Sequence, residues 1–368
     1  MPKPMSRREL VERAMALKET PRVPTYDLLR NDAAIEHYTG QKLPALADDE
    51  PTRRRLLELA GRTVNRVLDM TRDVGFGPVV EQETTDEFGF AWRHSPPLKT
   101  SWIVRRPFAD EAGAAEFVKQ WTARLEAQAR QVRAEPEAVR RRHHEQFARV
   151  QAAIGDTVNL LAVQGVGLDE LRHRLGIELF AYLQADEPGL ISQALEAYTR
   201  HQLALCDAIA DPTLSPAVLT YGDIACKQRL LHSPEFLRRE FFPRLARLNA
   251  AWHERGFRCL FHSDGYLMDV MDDLVAAGID GLNPIETVAG MDLKQVKARY
   301  GRRLFLTGGI DMSQLLSRGQ PDEVRQVCRQ AIRDASPGYF LGTTTEADNS
   351  CRLENLVAMW EVAAEAVP

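Results

Sequence analysis

Along the first half of the chain, apolar residues return at helical spacing. Leu56, Leu57, Ala60, Val64, Val67 and Leu68 fall on one side of a 3.6-residue repeat, and Phe117, Trp121 and Leu125 do so again. From Glu116 to Val150 the chain is rich in Arg, Glu, Gln and Ala and is interrupted by Pro136. Proline has no amide proton to donate and ends a helix, so this stretch predicts two exposed helices with a break between them. In the second half the rhythm changes to short apolar runs that end in Gly, Asp or Asn and are followed by helical segments. The runs predicted as strands are Val158 to Val163, Ala217 to Tyr221, Phe257 to Phe261, Gly281 with Ile279 and Leu282, Arg303 to Leu306, and Gly338 to Leu341. Two more, near Val23 to Tyr26 and around Val79 to Val80, bring the set to eight. Unbroken apolar runs are what strands covered on both faces look like, and their alternation with helices predicts a parallel sheet. An open doubly wound sheet shows the same alternation. The chain has neither a G-x-G-x-x-G after an early strand nor a G-x-x-x-x-G-K-[ST], which argues against a nucleotide-binding version of it.

Length and charge narrow the class. A chain of 368 residues fits one barrel-sized domain, read here as a single domain over residues 1–368 with a helical insertion around residues 110–150. The formal net charge of −5 gives no overall pull toward nucleic acid or an anionic membrane, so a small-molecule substrate is expected. Met1 to Arg22 lacks the apolar run of a signal peptide, and no stretch of about 18 apolar residues is present to span a bilayer; the reading is a cytoplasmic protein. Cys206, Cys226, Cys259, Cys328 and Cys351 are scattered without a C-x-x-C pair, which predicts reduced thiols rather than a disulfide framework. The Arg140-Arg141-Arg142-His143-His144 run reads as a solvated helix face before it reads as a phosphate site.

The chemistry is concentrated after the strands. Phe261-His262-Ser263-Asp264-Gly265 follows an apolar run directly. The next runs end in Asn283-Pro284-Ile285-Glu286, in Gly308-Gly309-Ile310-Asp311 and in Thr343-Thr344-Thr345-Glu346, and an earlier one in Gly222-Asp223. In a barrel such loops converge on one mouth, which groups His262, Asp264, Glu286, Asp311, Glu346 and Asp223 in one polar pocket. An imidazole with carboxylates is a workable zinc shell with an open position, and equally a general acid/base set. Each residue also has a local alternative: Asp264 and Asp311 as helix caps, Glu286 as an ion-pair partner, His262 as a loop anchor.

From Asp223 onward the chain resembles the uroporphyrinogen decarboxylase and corrinoid methyltransferase superfamily. The resemblance rests on Ser233-Pro234-Glu235-Phe236, the His262 to Gly265 motif, Gly278-Ile279-Asp280-Gly281-Leu282-Asn283-Pro284, Met291-Asp292-Leu293 and Gly308-Gly309-Ile310-Asp311, with weaker matches at Arg22-Val23-Pro24 and Glu87-Phe88-Gly89. It implies an α/β fold of the (β/α)8 TIM-barrel type with extra N-terminal helices. The decarboxylases carry an Arg-rich R-Q-A-G-R type motif, whereas the matching stretch here, Thr25 to Arg30, keeps one arginine. The methyltransferases bind zinc through His-x-Cys and a later Cys. This chain keeps His262, has Asp264 at the first Cys position, and has Thr343 or a neighbour at the second.

The resemblance therefore implies a metal-dependent methyltransferase that moves a methyl group from a small methoxy- or methylamine-type compound to the cobalamin of a separate corrinoid protein. Zn2+ would be held by His262, Asp264 and Glu286, with Asp223, Asp311 and Glu346 as catalytic carboxylates. No cobalamin-ligating D-x-H-x-x-G signature is present, so the cofactor is expected on the partner protein. A decarboxylase or lyase acting on a small carboxylated substrate, and a non-catalytic tetrapyrrole or corrinoid binder, remain as alternatives; the oligomeric state, including a homodimer, is open.

Overall fold

One parallel sheet has a spatial order that follows chain order, Val163–Gly165, Ala217–Tyr221, Arg258–His262, Gly281–Ile285, Phe305–Ile310 and Tyr339–Thr343; the last five fall on predicted runs, whereas the predicted Val158 to Val163 run is split into Val158–Asn159 and Val163–Gly165. The structure is a computed structural model describing residues 5–74, 77–96 and 99–365; Met1 to Pro4 of the amino-terminal segment lie outside it. Each strand is laid beside its predecessor with a helical segment in between, the arrangement expected of a parallel α/β protein. Beyond these six, Met70–Thr71 pairs in parallel with Val158–Asn159. Leu161 donates its N–H to Ala217, linking that segment to the main sheet. Single parallel bridges join Thr25 to Leu341 and Tyr26 to Met70.

Side chains alternate across the strands, and the two faces have separate cores. One face contributes Tyr26, Met70, Val158, Leu160, Ala217, Leu219, Leu260, Phe305 and Phe340, against which Val11, Ala14 and Met15 of the Arg7–Met15 helix pack. Residues of the opposite face, such as Val218, Cys259, Phe261, Leu282 and Leu306, join the larger core made with the helices. The extra N-terminal helices are Arg7–Met15, Asp32–Thr39 and Glu50–Val67. The first covers the N-terminal end of the strands.

The predicted break at Pro136 separates helices Glu111–Ala134 and Pro136–Ile154. Arg140 and His144, from the basic run, bond the Ala208 and Ile209 carbonyls at the C-terminus of the Pro188–Ile209 helix. They complement its orphan carbonyls, a structural role.

Several expectations need correction. The Val79–Val80 region lies in a bend, and a parallel strand lies at Met70–Thr71 instead. Two residues between a helix end and a polar loop are too short to register as an apolar run. The main strands also extend past their predicted ends, to His262, Ile285, Ile310 and Thr343. There, inward-facing polar side chains replace apolar ones. A three-stranded antiparallel sheet, Gln82–Thr85, Ala91–Ser95 and Thr100–Arg105, was not anticipated because its exposed strands carry no apolar alternation. All five cysteines are free, and no described helix is long and apolar enough to cross a membrane.

Candidate active site

Three strand ends assemble the site. Tyr221 pairs with His262 and His262 with Asn283 across neighbouring strands. Each lies two residues beyond Leu219, Leu260 or Gly281, on the same face of the sheet. Two glycines let the loops close. A side chain at Gly222 would collide with the Phe241 ring at 2.5 Å, and one at Gly265 (φ +95°) would meet the Ala225 and Cys226 backbone at 2.6–2.7 Å. Glycine is thus required for the chain to turn Asp223 and Asp264 toward each other. Asp264 N–H donates to Asp223 Oδ1 at 3.1 Å, Ile224 N–H donates to Ser263 Oγ, and Gly265 N–H donates to Glu286 Oε2 at 2.6 Å.

The outcome is a cluster of Asp223, His262 and Asp264 whose potential ligand atoms all lie within 4.8 Å of one another. Nδ1 of His262 faces Asn283 Oδ1 at 2.7 Å, while Asn283 Nδ2 donates to Thr307 Oγ1 at 2.6 Å. The amide oxygen so placed accepts a hydrogen bond from Nδ1–H and leaves the Nε2 lone pair turned to Asp223. Nε2 stands 3.9 Å from Asp223 Oδ1, too far for a hydrogen bond. Burial, reinforced by the Arg72 guanidinium, lowers the imidazole pKa, so it is neutral and the pair is no ion pair. Burial, then the like charges of Asp223 and Glu286, push the Asp264 carboxyl up to about 7. Asp169, whose Oδ2 accepts the Asp223 N–H, is likewise pushed to about 7 by burial and by Asp223.

The other sequence candidates lie outside this cluster. Glu286 serves as the anchor of the Gly265 loop, and Asp223, expected as a catalytic carboxylate, occupies the place foreseen for Glu286. Asp311 caps the Met312–Leu316 turn, its two oxygens accepting from Ser313, Gln314 and Leu315 N–H groups. Glu346 pairs with Arg30 at 3.3 Å, and burial raises its pKa against the pull of Arg30 and Arg72. Thr343 is turned away, bonding buried Asp27 through both N–H and hydroxyl; Thr345 is the residue that reaches Asp264, at 3.4 Å.

Sequence reasoning missed Arg72, Asn283, Tyr221, Asp169 and Glu170. The signal available for the first three was position, two residues past the last small or apolar residue on the inner face. Tyr221 and Tyr198 both donate to Glu170 Oε1. Burial and that carboxylate hold both phenols protonated. Beside the site, between residues 106–109 and the junction of the Leu168–Leu175 and Ile177–Asp186 helices, lies a cavity of about 690 Å³ lined by Arg106, Phe108, Arg172, His173, Ile177 and Leu179. Arg172 joins it to the cluster by donating to Asp169 Oδ1 and to the Asp223 carbonyl.

A second group, His253, Cys259 and Asp280, sits at the opposite end of the same strand. Asp280 is fully engaged there by His253, Arg258 and the Cys259 N–H, and burial raises the Cys259 thiol, so the group is a hydrogen-bond network.

The fold is that of an α/β protein with a parallel sheet. Among solved structures it is similar to a methyltransferase from Methanosarcina mazei, at 14% identity over 98% of each chain with a TM-score of 0.67. No family model matches the sequence, and no curated protein matches it.

Proposed function

We propose that the chain is a metal-dependent methyltransferase that moves a methyl group from a small methylated compound to the cobalamin of a separate corrinoid protein. The observation that carries this reading is the Asp223, His262, Asp264 cluster at the ends of adjacent strands. Zinc ligands sit about 2.0–2.2 Å from the ion and hence at most about 4.4 Å from one another, so a 4.8 Å grouping needs only small side-chain adjustments. The His262 to Asn283 contact fits as well, because a metal-bound imidazole generally donates its other N–H to a fixed acceptor. Two mutually repelling carboxylates beside a neutral imidazole are a donor set suited to a divalent cation such as zinc.

When bound, the ion would supply Lewis-acid polarisation of the heteroatom that carries the methyl group. The protein's own residues do the rest. Asn283 orients His262, Glu286 and Ser263 hold the loop that presents Asp264, and Asp169, itself held by Arg172, fixes the Asp223 backbone. Tyr221, kept as a phenol, lines the same face. The bridges Thr25 to Leu341 and Tyr26 to Met70 support closure of the strands into an eight-stranded (β/α) barrel in one domain. A mouth of that kind leaves the cluster accessible to a corrinoid carried by a partner.

Metal analysis of the purified chain and of His262→Ala, with the absorbance change of cob(I)alamin methylation as the rate assay, tests the reading. Zinc bound one to one and lost in His262→Ala together with activity is the expected result. Wild-type turnover by metal-free protein excludes it, and carbon dioxide release from a carboxylated substrate without metal would place the chain with the lyases.

A further inference from the structure

Among the described residues, Arg72 is the cation at this site without a hydrogen-bond acceptor of its own. It follows the Met70–Thr71 strand and, by alternation, shares the inner face with Met70 and with Tyr26, which bridges to Met70. Among the described residues its one polar contact is Nη1 to His262 Nδ1 at 3.2 Å, and no carboxylate stands within ion-pair distance. That contact is a poor one. Nδ1–H donates its hydrogen bond to Asn283 Oδ1, so the guanidinium faces a donor. The neighbouring arginines differ: Arg30 is paired with Glu346 and Arg172 with Asp169. A guanidinium carries five N–H groups in a rigid fork, and leaving them idle in a half-buried position costs free energy unless something fills them. A second observation points the same way. Tyr26 is 3% exposed, its hydroxyl finds no partner among the described residues, and it lies close enough to feel the Arg72 charge.

We infer that Arg72, with the Tyr26 hydroxyl, forms a subsite for a carboxylate of the substrate, next to the Asp223, His262, Asp264 cluster. The inference rests on the methyltransferase reading and narrows its donor to small methylated compounds that carry a carboxylate, rather than neutral ethers or methylamines. A planar carboxylate matches the fork of the guanidinium with two parallel hydrogen bonds and has an oxygen left for the phenol. The surrounding carboxylates, Asp264 and Glu346 among them, repel an anion that lacks this anchor, so Arg72 also decides which end of the donor enters first.

Calorimetric titration of the zinc-loaded full chain with 4-methoxybenzoate, its neutral amide 4-methoxybenzamide, and inorganic phosphate tests this. The acid is expected to bind about tenfold or more tightly than the amide, as a charge-assisted bidentate pair provides. Arg72→Met should erase the preference, Arg72→Lys should keep part of it, and Tyr26→Phe should reduce it less, each with an unchanged melting temperature and zinc content. Equal affinity for acid and amide, preference surviving in Arg72→Met, or no binding of the acid at millimolar concentration would overturn the inference. Phosphate binding more tightly than the acid would overturn the carboxylate assignment. The two readings fail separately: a wild-type chain that holds no zinc yet prefers the acid refutes the metal and leaves the anion subsite standing.

Discussion

Asn283→Ala should weaken zinc binding without touching a ligand. Asn283 is 3% exposed and His262 8%, so no water stands ready to replace the lost amide. The substitution removes the oxygen 2.7 Å from Nδ1 and the donor 2.6 Å from Thr307 Oγ1. Freed from its acceptor, the imidazole can rotate or carry its proton on Nε2, and either change takes the lone pair away from Asp223 and Asp264. Removing an outer partner of this kind typically costs 10–100-fold in metal affinity, about 1.4–2.8 kcal/mol. The unsatisfied buried nitrogen adds a stability loss of about 1–3 kcal/mol. Asn283→Asp should act in the opposite direction on the metal, because a carboxylate accepting the Nδ1 proton makes the imidazole a stronger donor. Competition with a chromophoric chelator gives the affinities, and thermal melts of the metal-free proteins give the stability term. If Asn283→Ala melts earlier but binds zinc as tightly as wild type, Asn283 merely packs the sheet and the orientation argument fails.

Glu286→Gln should keep full zinc stoichiometry, since the amide oxygen still accepts the Gly265 N–H, whereas Glu286→Ala should loosen the Asp264 loop and lower affinity several-fold; complete loss of zinc in Glu286→Gln would make Glu286 a ligand after all. Asp27 gives a pH signature. Burial pushes its carboxyl up to about 7 against the hydrogen bonds it accepts from Thr343 and Leu28, so the folded state holds this proton over a range in which the unfolded chain has lost it. Stability from this group is therefore fully present below about pH 4 and falls as pH rises toward 7, by at most about 4 kcal/mol. Chemical denaturation at about pH 5 and about pH 8 should show wild type losing more stability than Asp27→Asn; parallel losses would refute the shift.

Much of this protein was legible along the chain. Apolar runs locate strands because a strand covered on both faces has no polar period to show, and Ala217–Tyr221 matches its predicted run residue for residue. Pro136 marks the helix break through its missing N–H. His262 and Asp264 stand out because a His and an Asp after such a run, followed by glycine, suit a tight loop at a strand end. What the linear order does not contain is which strand ends meet and which way each side chain points. Glu286, Asp311 and Asp223 look equivalent as carboxylates closing apolar runs. Asp223 reaches His262 because Gly222 lets the chain pass the Phe241 ring, while Asp311 turns back on its own N–H groups and Glu286 is taken up by Gly265. Arg72 is the extreme case: it lies 190 positions from His262, just past a two-residue strand that no apolar pattern announces, and only the pairing of that strand brings it to the imidazole. Residue type and local spacing decide where the elements lie, whereas convergence depends on register and close packing between segments far apart in sequence.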